Sequence, residues 1–184
     1  TRGLLGEPGM PYNLLLNRSV DFATYFVLLQ AANSNFFDIQ ILLGAMQMLW
    51  DRSEPDGYAP YLSENLLPGT PAHNVLLHVA IGDYQVTPLG AHLIARTINA
   101  KNTRPVNREL FGIADADAPF GGNGLTEFDF GLPAAPTTNT PPTGPDDDDP
   151  HDKVRKLQSS IDQTDTFLRT GVVMQYCGGR CQGK

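Results

Sequence analysis

The sequence predicts an α/β fold on three observations. A near-continuous apolar run at 75–82, VLLHVAIG, is typical of a strand buried on both faces of a parallel sheet. A helical pattern follows at 87–98, and a second strand pattern, LTEFDFG, spans 125–131. A last helical pattern opens at Asp149 and closes at Gly171. Helices and strands therefore alternate along the chain, which is the order of elements in α/β proteins.

The first 72 residues contain the remaining predicted helices. Residues 1–20 suit a short strand followed by a loop. Residues 21–30 are expected to be helical, with Asp21 as the N-cap. Residues 35–50 are apolar on more than one face, which predicts a well-buried helix. Residues 51–72 are rich in Pro, Gly and polar groups and indicate a connecting loop.

The second half carries clear helix signals. Thr87 is expected to cap the helix after the first strand, with Pro88 at its first position. The segment 111–122 is irregular, and 132–150 is a long Pro- and Thr-rich loop. Gly171 is placed to close the last helix as its C′ residue. The apolar stripes of the two helices are Leu89, Leu93, Ile94 and Ile98, and Val154, Leu157, Ile161 and Leu168.

Composition excludes several classes of partner. The 184 residues, 41% of them hydrophobic, are enough for one domain with a core. A net charge of −7 argues against nucleic acid and against an anionic membrane surface. No apolar run reaches the roughly 18 residues of a transmembrane helix. The nearest candidate, 36–50, is interrupted by Asp38, Gln40 and Gln47.

The two cysteines lie close together in CGGRC. The glycines between Cys177 and Cys181 make a small disulfide loop feasible, and two free thiols are the alternative. A zinc site needs about four ligands, which two cysteines without a nearby His do not supply. A disulfide would favour an exported protein. Because the first residue is Thr1, we expect that a signal was removed or that the chain was cut from a longer precursor.

Asp83 is the candidate acid. It lies just past the end of a buried parallel strand, at the carboxyl edge where open α/β sheets bind their ligands. Gly82 before it permits a tight turn. The local pattern leaves a second interpretation open, in which Asp83 only caps the turn through an Asx hydrogen bond.

His151 is the candidate base. It lies at the start of the last helix, after a strand and a long loop, from where it can reach the same edge of the sheet. The alternative is an exposed residue beside an acidic run. The other histidines suit this role less, because His78 lies inside a strand, His92 within a helix and His73 before the first strand.

Three blocks carry a family resemblance. GDYQVTPLGAHLIAR at 82–96, EFDFG at 127–131 and PHDKVRKLQSSIDQTDTFLRTG at 150–171 resemble the C-terminal half of a bacterial α/β-hydrolase of the esterase/lipase type. In that family the catalytic residues follow the order Ser, Asp, His along the chain. The resemblance therefore implies Asp83 as the triad acid and His151 as the triad base.

The resemblance also implies a domain organisation. Residues 1–20 would be a strand and loop entering the cap, 21–72 a helical cap or lid, and 73–184 the C-terminal core. The family's nucleophile serine, its G-x-S-x-G elbow and its oxyanion-hole loop belong upstream of Thr1, on a separate N-terminal segment that completes the sheet. The serines present lie in no such context: Ser19, Ser34, Ser53, Ser63, Ser159 and Ser160.

The implied function is hydrolysis of carboxylic esters by a divided Ser-His-Asp triad. This chain would supply the acid and the base, and an N-terminal fragment of the same hydrolase, its expected partner, would supply the serine. No cofactor or metal is expected. The alternative is a non-catalytic α/β-hydrolase-like binding or scaffold protein.

Two further interpretations are less favoured. Thr1 could act as an N-terminal nucleophile, but the flanking TRGLLGEPG gives no sign of a buried strand start. The four acidic residues 146–149 could bind Ca²⁺ through oxygen ligands. Consecutive side chains point in different directions, however, which favours a solvated acidic loop.

Overall fold

The central element of the fold is a five-stranded parallel sheet. The computed structural model describes residues 1–183, without the side chain of Asp146. The strands of the sheet are β1 (Arg2–Gly6), β2 (Asn74–Ile81), β3 (Lys101–Arg104), β4 (Asp115–Asp117) and β6 (Gly124–Asp129), in the order β1-β2-β6-β3-β4. A small antiparallel pair joins β5 (Phe120–Gly121) to β7 (Val172–Val173). The predicted α/β class with a parallel sheet is confirmed.

The helices are α1 (Tyr12–Leu15), α2 (Ala23–Ala32), α3 (Phe36–Trp50), α4 (Pro88–Thr97) and α5 (Gln158–Thr170). Of these, α4 packs on β2 of the sheet, and α5 packs on β1 and β2. Alternate side chains of β2 point to opposite faces: Val75, Leu77 and Val79 pack in one cluster with residues of α4. On the other face, Leu76 packs against Phe167 of α5. Both faces of β2 are therefore buried, which is why its sequence is almost continuously apolar.

The prediction that 35–50 is a well-buried helix was wrong. The helix forms, but its buried side chains are only Ile39, Leu43 and Gln47, one stripe at a spacing of four residues. Phe37 is 79% exposed and Met48 73% exposed. Helix α3 packs against α1 and, less extensively, against α2, and much of its apolar surface stays exposed. The composition of the helix thus overstated its burial.

Several predicted helix ends also differ. Helix α2 begins at Ala23 after a short 3-10 turn, and Ser19, not Asp21, caps that turn by accepting the N–H of Asp21 at 3.2 Å. Thr87 makes no side-chain cap bond, although Pro88 occupies the first position of α4 as expected. Gly171, with φ of +78°, ends α5 as predicted.

The last helix begins later than its sequence pattern suggested. Helix α5 starts at Gln158, and residues 150–157 form turns with a 3-10 segment at Val154–Lys156. Strands β3 and β4 were missed, because KNTR and DAD lack apolar alternation. They are strands because each pairs in parallel with a neighbour, for example Lys101 of β3 with Gly124 of β6.

Within residues 1–183, no single helix is long and apolar enough to cross a bilayer. The pair Val20–Ala32 and Phe36–Trp50 meets the length and composition of a span together, with a bend of 115° between its two parts.

Candidate active site

The candidate site lies at the carboxyl edge of the sheet. Glu7 directly follows β1, Asp83 follows β2, and His151 lies beyond the long loop after β6. The structure brings Asp83 and His151 together: Nδ1 of His151 lies 2.8 Å from Oδ2 of Asp83. Sixty-eight positions separate the two residues in the chain, so this contact exists only in the tertiary fold.

The carboxylate of Asp83 is held rigidly in its turn. The residue is fully buried, at 0% exposure. Its Oδ1 accepts the backbone N–H groups of Gln85 and Val86, each at 2.8 Å, which leaves Oδ2 for His151. Asp83 therefore caps the turn with one oxygen and binds the imidazole with the other. The turn-capping interpretation of Asp83 is thus compatible with its interpretation as a candidate acid.

Gly82 makes this turn possible. Its φ of +88° lies in the left-handed region, where a side chain is strained. A Cβ atom there would lie 3.0 Å from Cδ1 of Leu132, so the space is also tight. A larger residue would move the Asp83 carboxylate that directly follows it.

His151 is positioned by Asp149. The backbone N–H of His151 donates to Oδ1 of Asp149 at 3.1 Å. The same carboxylate accepts the backbone N–H of Tyr84 at 3.2 Å and Nε2 of Gln85 at 2.8 Å. Asp149 thus connects the His151 turn directly to the Asp83 turn.

Asp149 is also one of the four acidic residues 146–149 that were considered as Ca²⁺ ligands. Both of its carboxylate oxygens already accept hydrogen bonds from protein donors. The side chain of Asp146, another of the four, lies outside the described residues.

The electrostatics favour one tautomer of His151. The hydrogen bond to Asp83 raises the pKa of His151 above its ordinary value; burial lowers it, and the charges of Asp83, Glu7 and Asp149 add to the rise. Because a carboxylate can only accept, Nδ1 must carry a proton. Nε2 is then the basic nitrogen, and no described side chain hydrogen-bonds to it. The ring remains 25% exposed, so this nitrogen is accessible.

A cavity of about 370 Å³ opens beside the pair. It is lined in part by residues of β1, which pairs only with β2 within the described residues. Helix α5 forms its far wall. The lining residues used below are Leu4, Glu7, His78, His151, Arg155 and Asp165.

His78 belongs to a different, buried network. Its Nε2 lies 2.8 Å from Oε1 of Gln163, and Ser160 Oγ lies 2.9 Å from its Nδ1. The amide nitrogen of Gln163 donates to the carbonyl of Met174, which fixes Oε1 as the acceptor. His78 is therefore neutral with its proton on Nε2, and Ser160 donates to Nδ1. Both His78 and Ser160 are only 2% exposed, so this Ser–His contact ties α5 to β2.

The buried state of His78 predicts a loss of stability in acid. Burial lowers the pKa of His78 to about 4 from an ordinary 6.5. Between pH 6.5 and about pH 4, the unfolded chain therefore binds a proton at this residue that the folded chain does not bind. The free energy of unfolding falls as the pH drops through this window. We expect a loss of about 3 kcal/mol, measured by urea unfolding at the two ends of the window. His78→Gln does not titrate and should lack this loss; an identical pH slope in both proteins would contradict the expectation.

A second buried charge cluster lies at Glu127 on β6. Nε and Nη2 of Arg108 donate to its two oxygens at 2.8 and 2.7 Å, and Nε2 of His92 lies 2.8 Å from Oε1. Burial by itself would raise the pKa of Glu127, but the bonds from Arg108 and His92 outweigh it and lower that pKa. The cluster fixes the loop containing Arg108 and helix α4 to β6.

None of the remaining described candidates lines the cavity beside the pair. Cys177 and Cys181 are joined in a disulfide bond. The amino group of Thr1 is exposed and donates to the carbonyl of Ala72 at 3.1 Å. One group of carboxylates has ligand atoms within 4.8 Å of one another, as a cation site would require: Asp51, Glu54 and Asp56.

Sequence reasoning missed three acidic residues that lie near the Asp83–His151 pair or at buried positions: Glu7, Glu127 and Asp149. Glu7 had a usable signal, because it directly follows the apolar strand segment GLLG, as Asp83 follows β2. Glu127 lay inside an apolar strand without a visible partner. Asp149 was read only as part of an acidic run and a helix start.

Comparisons of this chain with protein-family models, with curated proteins and with solved structures gave no match.

Proposed function

We propose that this chain supplies the acid and the base of a serine hydrolase that acts on carboxylic esters. The observation that carries the proposal is the contact between Asp83 and His151. A fully buried carboxylate, held by two backbone N–H groups, binds Nδ1 of a partly exposed histidine whose Nε2 faces no described side chain. An acid and a base in this relation are two of the three members of a catalytic triad.

The chemistry follows from this geometry. His151 Nε2 would accept the proton of a serine hydroxyl as that serine attacks the ester carbonyl, and would later return the proton to the leaving alcohol. Asp83 would keep the ring in the tautomer with Nδ1 protonated. It would also stabilise the imidazolium while the ring carries both protons.

The serine is proposed to lie on a separate N-terminal part of the same hydrolase. The outer edge of β1 has backbone groups free to accept a further parallel strand. A strand added there in parallel would end at the same carboxyl edge, beside the cavity that His151 lines. A nucleophile in the turn after that strand would then be close to Nε2.

The proposed substrates are esters with apolar acyl chains, covered by a cap at 21–72. The entry to this segment is tied to the site, because the N–H of Val20 donates to the carbonyl of Tyr84 at 3.0 Å. Arg18 also donates to Asn139 in the loop that leads to His151. The cap presents large exposed apolar side chains: Tyr25, Val27, Leu28, Phe37, Ile41, Met48 and Leu49. The disulfide supports export of the protein.

A fluorophosphonate probe tests the proposal. The protein is purified with any companion chain retained, treated with the probe and mapped by mass spectrometry. We expect the label on a serine of the companion chain, and we expect His151→Ala to abolish labelling, because the serine then has no base. Ser160→Ala is the matched control and should keep the label, since Ser160 belongs to the buried His78 network.

Two outcomes would contradict the proposal. A label on Ser160 would show that the reactive serine belongs to the buried His78 network and not to a companion chain. A soluble, monomeric 20.0 kDa species that takes up no label would instead favour the non-catalytic binding or scaffold protein.

A further inference from the structure

Glu7 is a buried carboxyl group that the proposed mechanism does not use. It follows β1 with φ of +49°, in the left-handed region that residues other than glycine rarely adopt. Two hydrogen bonds hold it there: its N–H donates to the carbonyl of His78 at 2.9 Å, and its Oε2 accepts the N–H of Ala80 at 2.7 Å. Unusual backbone conformations of this kind concentrate at functional sites.

The second oxygen of Glu7 indicates its charge state. Oε1 is buried and has no hydrogen-bond partner among the described residues. Burying an ionised carboxylate that has one oxygen without solvent or a hydrogen-bond partner costs a large amount of free energy, and burying a neutral carboxyl there costs much less. The geometry alone therefore favours a protonated Glu7.

Two other ionisable groups of the site act on the charge of Glu7. They are the carboxylate of Asp83, and His151, which can become positive. Burial raises the pKa of Glu7 to about 8; the N–H of Ala80 opposes this rise and the charge of Asp83 adds to it. The neighbouring His78 stays neutral.

Across the cavity, the charged groups are already neutralised in pairs. Arg155 pairs with Asp152, and Asp165 pairs with Arg169. Neither Arg155 nor Asp165 is therefore an unpaired charge acting on Glu7. The ionisation of Glu7 is therefore governed by its burial, by the hydrogen bond from the N–H of Ala80 and by the charges of Asp83 and His151.

We propose that Glu7 is a third ionisable member of the Asp83–His151 site, a carboxyl that keeps its proton beside Asp83 and leaves Asp83 as the one ionised carboxylate in contact with the ring. Glu7 is a positioning residue that acts through the charge of its neighbours. When Glu7 loses its proton, a second negative charge favours the imidazolium form of His151, which cannot accept a proton at Nε2. The charge state of Glu7 does not depend on the proposed function. Its consequence for base catalysis by His151 rests on that proposed function.

NMR titration of the purified protein, with any companion chain retained, tests the inference. The side-chain carboxyl carbon of Glu7 and the imidazole of His151 are followed from about pH 4 to about pH 10. We expect Glu7 to titrate near pH 8, and the His151 signal to show an inflection at the same pH, because interacting groups titrate as a coupled pair. A Glu7 midpoint near its ordinary value of 4.5 would overturn the proposal.

The variant Glu7→Gln isolates the coupling. It keeps the shape of the side chain without a proton to lose, so the alkaline inflection of His151 should disappear. Glu64→Gln, which removes an exposed carboxylate in the loop before β2, should leave that inflection in place. A His151 curve that is unchanged in Glu7→Gln would overturn the proposal even if the variant folds normally.

Stability provides a second readout. The folded chain keeps a proton that the unfolded chain has lost between pH 4.5 and about 8, so Glu7 makes stability fall as the pH rises through that window. The urea midpoint of Glu7→Gln relative to the wild type should therefore increase from acid to alkaline pH. No relative increase would contradict a proton held by Glu7. None of these measurements involves a serine or turnover, so they can fail or succeed independently of the fluorophosphonate test.

Discussion

Replacing Asp83 with Asn should reduce the proposed ester hydrolysis by about ten-thousand-fold while leaving the fold intact. The side chains have the same shape, so the effect is one of hydrogen-bond polarity. The two backbone N–H groups of Gln85 and Val86 require an acceptor at Oδ1 and fix the orientation of the new amide. The NH₂ group must then point at Nδ1 of His151, where the carboxylate oxygen was.

This reversal forces His151 into the wrong tautomer. Facing a donor, Nδ1 must become the acceptor, so the proton moves to Nε2. The nitrogen that would receive the serine proton is then already protonated, and the base is lost. The pKa of His151 should also fall, because its hydrogen bond to Asp83 is the largest cause of its rise.

Two measurements check this result. Hydrolysis of a chromogenic ester is compared with that of Asp129→Asn, which alters a carboxylate at the end of β6 that binds Gly131 and not His151. The ¹⁵N chemical shifts of His151 report the tautomer directly and need no turnover. Activity of Asp83→Asn within tenfold of the wild type, or an unchanged tautomer, would show that Asp83 does not orient the ring.

Replacing Glu127 with Ala should destabilise the protein by about 3 kcal/mol. The side chain of Glu127 is 2% exposed and holds Arg108 and His92 together. Its removal leaves two donors without an acceptor. His92 is only 14% exposed and cannot fully rehydrate, whereas Arg108 is 40% exposed and recovers part of its solvation, which places the effect at the lower end for a buried ion pair.

The matched control for Glu127 is an exposed ion pair on α5. Asp165 and Arg169 pair at 2.7 Å, but both side chains are more than half exposed. Asp165→Ala should therefore cost less than about 1 kcal/mol. Urea unfolding of both variants provides the comparison, and equal losses would show that burial of Glu127 adds nothing to the strength of its contacts.

The sequence predicted the parts of the site that depend on local pattern. The apolar run of β2 placed Asp83 at the carboxyl edge of a parallel sheet, and Gly82 marked the turn before it. The same logic applies to Glu7 after β1, but there the strand is short and half-exposed, so its signal was weak. The resemblance selected His151 from four histidines, a choice that local pattern left open.

The helices show the limit of pattern reasoning most clearly. In α3, apolar composition predicted burial on several faces, yet only Ile39, Leu43 and Gln47 are buried. Composition reports what a helix could bury, whereas burial depends on which elements are present to cover it. Strands β3 and β4 show the opposite error, since polar segments became strands through pairing with a neighbour.

By itself, the sequence determined that the protein has an α/β fold, with a buried central strand and an acidic residue at its end. Only the tertiary structure decided the chemistry of that residue. The contact between Asp83 and His151, the Asp149 bridge and the raised pKa of Glu7 all depend on groups far apart in the chain. Periodicity governs which faces a segment can bury, but hydrogen bonds and pKa values depend on the neighbours that folding brings within a few ångströms.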